Sequence, residues 1–257
     1  MQSHIGELIS AYYDFHCKVS EYEVVNNKIK EYVKENNNKV IVDYYSLKLR
    51  LVDKSFYSEE IIPYLIENKF KNFIIKDVDD KKLSALIDSG IVNRDFALSN
   101  IEKEKTVLDI KFKNMPEVLE KYKEEVKNAI DKDSWLDVIK KREKLKPVID
   151  ASRYRYYKEA KNVKDLLNEN RMSQYRFQYS DDIGFVKIRI KEREYCDSFV
   201  DYIEANRLDA LKLSVNNQKL LKSKNKKLDR DYVNKYKTEN FQEYLYVTIL
   251  RSALAKK

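Results

Sequence analysis

Two stretches of this chain carry the same succession of side chains. The segment YYSLKLRLVDKSFYSEEIIPYLIENKF (44–70) aligns with IGFVKIRIKEREYCDSFVDYIEANRL (183–208) once a single residue is deleted. Leu47, Leu49 and Leu51 fall on Val186, Ile188 and Ile190, and Lys48 and Arg50 on Lys187 and Arg189. Phe56 matches Tyr195, Tyr64-Leu65 matches Tyr202-Ile203, and Asn68-Lys69-Phe70 matches Asn206-Arg207-Leu208. Farther on, Arg94-Asp95-Phe96 answers to Arg230-Asp231-Tyr232, and Leu108 and Ile110 to Val247 and Ile249. Agreement of pattern and order over about 65 residues points to a tandem duplication rather than to shared composition. The expected division is residues 1–113, a first helix plus one repeat, and 114–257, connecting helices plus the second repeat.

Within the first copy, Leu47, Leu49 and Leu51 alternate with Lys48 and Arg50, the period of a half-buried strand. Ser58-Glu59-Glu60 opens a helix, with a hydroxyl cap and acids at the positive end of the dipole, and Ile61, Ile62, Leu65 and Ile66 give it an apolar stripe. Phe73-Ile74-Ile75 leads to a second helix at about 80–89, where Gly90 fits a left-handed stop. Thr106–Phe112 closes the unit as a strand. The expected class is α+β, a tandem repeat of a small sheet-plus-helices unit, each preceded by long helices with coiled-coil character.

Ile5, Leu8, Tyr12, Phe15, Val19, Tyr22, Asn26, Ile29 and Val33 recur at alternating spacings of three and four, a heptad seam with Asn26 at an a-type position. Such a seam packs either on its own chain or on a second copy, which would make a homo-oligomer through the N-terminal helix. Between the copies, Pro116 suits a first helical turn followed by Leu119, Tyr122, Val126 and Ile130. Ser134 caps a further helix through Trp135, Ile139 and Leu145, which Pro147 is expected to bend or end, with helix resuming to about Met172.

Scarcity narrows the chemistry. Gly6, Gly90 and Gly184 are too far apart to build a glycine-rich phosphate loop or a dinucleotide fingerprint. His4, His16, Cys17 and Cys196 form no zinc-ligand spacing and no nucleophile–base pair. The densest acidic run, Asp77-Val78-Asp79-Asp80, reads as the opening of the helix that carries Leu83, Leu86 and Ile87 rather than as a metal site. No catalytic residue, cofactor or metal is therefore expected. No apolar run approaches the roughly 18 residues of a membrane span, the first residues lack the pattern of a secretory signal, and two cysteines make no disulfide framework. The expected location is the cytoplasm, without membrane contact.

Charge is unevenly spread. Residues 1–113 carry a net −1 and residues 114–257 a net +9. Where the first copy reads Lys82-Leu83-Ser84-Ala85-Leu86-Ile87, the second reads Lys219-Leu220-Leu221-Lys222-Ser223-Lys224, so that two apolar positions become Ser223 and Lys224. Lys222, Lys224, Lys226, Lys227 and Arg230 form a cluster suited to backbone phosphates. A second candidate interleaves cations and aromatics: Arg153, Arg155 and Tyr156, then Tyr175 and Arg176, with Tyr179 close behind. That pairing serves stacking on bases and serves protein interfaces equally well.

The long N-terminal helix, the strand at 44–52, the helix after it and the stretch Val78–Gly90 that opens Asp80-Lys81-Lys82 resemble small phage proteins of the Gam-like host-nuclease-inhibitor type and the related siphovirus coiled-coil proteins. The likeness spans about residues 5–113 and, more faintly, 151–250. It implies a non-enzymatic accessory protein of a phage or mobile element, acting in the host cytoplasm. Such a protein counters a host defence nuclease by binding DNA or the nuclease itself. The other reading is a protein-binding adaptor or inhibitor with no nucleic-acid contact. No functional residue of the family carries over to this chain.

Overall fold

The computed structural model describes residues 2–179 and 182–250, with the backbone alone at 179, 182 and 183. Helices and small sheets are mixed. The first half runs α1 (Gln2–Glu35), β1 (Lys39–Val42), β2 (Tyr45–Asp53), β3 (Phe56–Tyr57), α2 (Ile62–Glu67), β4 (Ile74–Val78), α3 (Asp80–Asp88), α4 (Arg94–Ser99) and β5 (Ile101–Phe112). The second runs α5 (Met115–Ile130), α6 (Trp135–Glu169), β6 (Gln174–Tyr179), β7 (Asp182–Tyr195), α7 (Asp197–Ala205), β8 (Leu211–Val215), α8 (Asn217–Lys222), α9 (Arg230–Asn234), β9 (Lys237–Thr238) and β10 (Phe241–Ile249). With α5 and the two-residue strands set aside, both halves read long helix, hairpin, helix, strand, helix, helix, strand.

The residues gather in two compact units, one of Met1–Leu51, Val107–Arg189 and Glu243–Lys257, the other of Val52–Thr106 and Ile190–Gln242. Each unit draws on both sides of the 113/114 boundary, and strand pairing is the reason. The sheets are β1-β2-β10, β5-β7-β6, β4-β8 and β3-β9, so every sheet takes strands from both halves. A hairpin alone leaves an unpaired edge, and here the last strand of the other half covers it.

In the first unit, α1 packs along α6 and on α5. Val25, Ile29 and Val33 of α1 meet Val138, Ile139, Leu145 and Ile149 of α6 and Tyr45, Leu47 and Leu49 of β2. Ile5, Leu8 and Ile9 meet Val163, Leu167, Phe177 and Val186. The heptad seam is thus covered within its own chain, and the contact expected to join two copies is not free for that purpose. Asn26 makes the helix-to-helix bond that its seam position implied, accepting from Arg142 Nε at 2.8 Å. Arg142 is 5% exposed and also stands over the Tyr22 ring. Pro147 neither ends nor interrupts α6, which runs unbroken from Trp135 to Glu169. A mid-helix proline costs about 3 kcal/mol, and the apolar residues that α6 buries on both sides of it outweigh that. The alternation of β2 is buried at Leu47 and Leu49 but fails at Leu51, which is 67% exposed.

In the second unit, α2 packs on elements of the other half: Ile61, Ile62 and Leu65 meet Val215, Leu220, Leu228 and Val233. The reciprocal cluster sets Phe199, Val200 and Ile203 of α7 against Val78, Leu83, Val92 and Ala97. β4 and β8 pair antiparallel, Ile74 with Val215 through Val78 with Leu211. Ser58 Oγ caps the turn that opens α2, accepting from Glu60 N at 3.3 Å. No helix among the described residues is long and apolar enough to cross a membrane.

Candidate functional site

The basic cluster lies on the connection between α8 and α9. Asn216 caps α8, accepting from Lys219 N at 3.1 Å, and Leu220 plugs the helix into the core with no exposed surface. The helix ends at Lys222 because Ser223 turns to extended backbone (φ −64°, ψ 133°). A chain of short-range bonds then shapes the turn: Asn225 N donates to Ser223 Oγ at 3.2 Å, and Lys227 N to Asn225 Oδ1 at 3.0 Å. Leu228, 4% exposed, anchors the far end, and Asp229 caps α9 by accepting from Tyr232 N at 3.1 Å. Arg230 belongs to this scaffold. Its guanidinium donates to the Ser223 carbonyl, so one of its nitrogens is committed to holding the turn.

Lys219, Lys222, Lys224, Lys226 and Lys227 are all exposed, and among the described residues none of the five forms an ion pair. Elsewhere in the same unit some cations are matched, Lys76 with Glu204, Lys82 with Asp209 at 2.9 Å, Lys103 with Glu194 at 2.8 Å and Arg193 with Glu104 at 2.8 Å, while others such as Lys71, Lys212 and Lys235 form no ion pair among the described residues. Beside the turn, Asn72, Phe73, Gln218, Lys219, Lys222, Ser223 and Asn225 line a shallow concavity of about 500 Å³. A floor of amides and a rim of lysines suit an anion that keeps part of its hydration.

The second group of candidate residues belongs to the other compact unit and does not form one surface. Tyr156 is half-buried against the inner face of α1. Its ring stacks on Phe15 at 5.7 Å and meets Tyr12 at 5.6 Å, and burial pushes its phenol up to about 12. Tyr175 is half-buried beside the cluster that holds Phe177 and Val186. Arg153 pairs with Asp150 at 3.4 Å and lies over the Phe15 ring. Arg155 is exposed. Arg176 is exposed too and lines a shallow pocket with Lys111, Lys113, Gly184 and Phe185. The exposed aromatics of α6 are Tyr154 and Tyr157, 74% and 61% exposed. Helical phase turned Tyr156 inward and left Tyr157 outside. The side chain of Tyr179 lies outside the described residues.

The acidic run is occupied with structure. Asp79 caps α3, accepting from Lys81 N at 2.9 Å and Lys82 N at 3.2 Å, and the Lys82 and Lys81 backbone bonds hold its carboxyl below the usual range. Asp80 accepts from Tyr195 Oη at 2.6 Å. The one cluster among the described residues with ligand atoms close enough together for a metal ion lies elsewhere: His4, Glu7 and Glu159. Sequence reading missed it because Glu159 is remote, although His4 and Glu7, three apart on a helix, share a face. Also missed was a groove of about 400 Å³ where the Tyr32 ring stacks on Trp135 at 4.0 Å and Lys28 reaches the Ile130 carbonyl at 2.7 Å.

No protein-family model matches the chain, and neither does any curated protein or solved structure.

Proposed function

We propose that this is a non-enzymatic accessory protein that binds nucleic-acid phosphates through the lysine turn between α8 and α9. Its role would be that of the host-nuclease inhibitors which its first half resembles, shielding DNA from a host defence nuclease in the host cytoplasm. The observation that carries the reading is the density of unpaired charge on one turn. Five exposed lysines crowd the nine residues from Lys219 to Lys227, and among the described residues none of them forms an ion pair. A lysine-rich surface with no task tends to intersperse its charges with acids, whereas a phosphate-binding surface leaves cations free to displace counterions.

The proposal includes a tandem duplication as the origin of the chain. The shared element order of the halves and the reciprocal α2 and α7 clusters support it. Its check is superposition of residues 44–112 on 183–250 in an experimental structure, where different folds for the two segments would refute it. One observation favours the protein-binding adaptor as a second reading. Tyr154 and Tyr157 stand exposed on α6 beside Arg155, a composition enriched at interface hot spots.

Affinity for duplex DNA measured against salt tests the first reading. Wild type should show a steep loss with salt. Lys224→Glu with Lys226→Glu and Lys227→Glu should abolish binding at moderate salt, each lost contact lowering the logarithmic slope by about 0.9. The fold should survive, because all three side chains are solvated. No binding by wild type at about 50 mM salt would remove the nucleic-acid reading and leave the α6 surface as the place to look.

A further inference from the structure

We infer that His4, Glu7 and Glu159 form a binding site for one divalent transition-metal ion, of which Zn²⁺ is the natural probe. A ring nitrogen of His4 and one carboxylate oxygen each of Glu7 and Glu159 lie within 4.8 Å of one another. An ion bonded at about 2.0–2.2 Å holds its ligand atoms some 3–4 Å apart, so small rotations close the three onto a common centre.

A second observation is independent of that spacing. His4 Nδ1 is buried and has no hydrogen-bond partner, and among the described residues it is the one buried side-chain nitrogen or oxygen in that condition. An unsatisfied buried polar atom is destabilising, and such an atom in a native structure points to an ion or water that completes it. Glu159 poses the same question from the other side. It is only 9% exposed, and the hydrogen bond it accepts comes from a neutral amide, Asn162 Nδ2 at 3.1 Å. A buried carboxylate is stabilised by a cation or by several donors. A dication between the two carboxylates and the His4 ring balances the charge beside an imidazole that otherwise has an unpartnered nitrogen.

The donor set selects the metal. One imidazole nitrogen and two carboxylate oxygens suit Zn²⁺ and its first-row neighbours, whereas Mg²⁺ and Ca²⁺ take oxygen alone. Glu7 is exposed, so the remaining coordination positions face water. The site ties the first turn of α1 to α6 beside the Ile5, Leu8 and Val163 cluster. It belongs to the other compact unit from the lysine turn and does not depend on the phosphate-binding reading.

The test uses untagged full-length protein, stripped with a chelator and titrated with Zn²⁺ against a chromophoric competitor. Wild type should take up one Zn²⁺ per chain. His4→Ala and Glu159→Gln, which remove direct ligands, should each weaken binding by at least the roughly 10–100-fold that loss of an outer partner costs, and Zn²⁺ should raise the melting temperature of wild type but not of either variant. His16→Ala and Cys17→Ser, which alter the other nitrogen and sulfur donors of α1, should bind as wild type does. If Glu159→Gln fails to fold, the outcome rests on His4→Ala, whose side chain sits in the first turn of α1. Absence of stoichiometric uptake by wild type would overturn the site, and so would uptake that persists in His4→Ala or is lost in His16→Ala.

Discussion

The segments α3–α4 and α8–α9 start from the same plan and end differently. Each opens on an Asx-capped helix, at Asp79 and Asn216, and each buries one leucine, Leu83 or Leu220. Each returns through a buried aliphatic residue, Val92 or Leu228, to a second capped helix, at Asn93 and Asp229. In the first segment Leu86 and Ile87 add half-buried contacts, and the helix continues to Asp88, just before Gly90, whose φ of 75° supplies the left-handed stop. In the second, Ser223 and Lys224 stand where those apolar residues would be, so there is nothing for another turn of helix to bury. The helix ends a turn sooner, and side-chain bonds from Ser223, Asn225 and Arg230 take over the shaping. The first segment thus ends in a packed helical turn and the second in an exposed cationic one, between anchors of the same kind.

The anchors carry the largest expected effect. Leu220→Ala and Leu83→Ala should each destabilise the protein by about 2–5 kcal/mol, read as a shift in denaturation midpoint at constant slope. A near-neutral Leu220→Ala would show that α8 is not seated as α3 is. A smaller effect separates the two arginines at matching positions. Arg230→Ala removes the guanidinium bond to the Ser223 carbonyl and should cost about 1–3 kcal/mol. Arg94 meets Asp88 only at 3.8 Å with both side chains more than 70% exposed, so Arg94→Ala should change stability by less than about 0.5 kcal/mol. Equal costs would mean that the lysine turn holds itself without Arg230.

The smallest effect is a difference in pH response between the caps. The backbone N–H groups of Lys82 and Lys81 depress the folded-state titration of Asp79. Its stabilisation is therefore complete above the unfolded carboxylate value and is lost as pH falls through the lower, folded value. Asn216 has no such proton. Asp79→Asn should leave neutral-pH stability nearly unchanged, since the two residues cap equally well, and should flatten the loss of melting temperature on acidification. An unchanged acid limb would mean that the Asp79 charge contributes nothing to the cap.

The sequence spoke most clearly where chemistry is local. The alternation through Leu47 and Leu49, the caps at Ser58 and Ser134, the stop at Gly90 and the first-turn Pro116 all follow from a few adjacent residues. Leu51 obeys the same alternation yet is exposed, because burial is decided by what lies opposite. Pro147 shows local preference overruled by long-range packing. Asn26 implied a helix partner correctly, but a heptad seam does not say whether that partner is in the same chain. For the candidate sites, the missing acids around the lysine cluster were visible in composition, while the absence of ion pairs was not. Tyr156 and Tyr157 differ by one residue, and only the packing of α1 on α6 decides which is half-buried and which exposed. The His4 group needed Glu159, brought to it by two helices.

Interleaved strand pairing also sets a timetable for synthesis. Ile74 through Val78 leave the ribosome long before their partners Val215 through Leu211. At about 5–20 residues per second the interval is on the order of ten seconds. Throughout it the newborn first half carries open strand edges and the uncovered apolar face of α2, neither of which the first half can satisfy by itself. Such a chain is most exposed to aggregation in the middle of its own translation. Slower elongation through residues 114–210 would lengthen that vulnerable period, and a chaperone acting on the nascent chain would be needed then rather than after release.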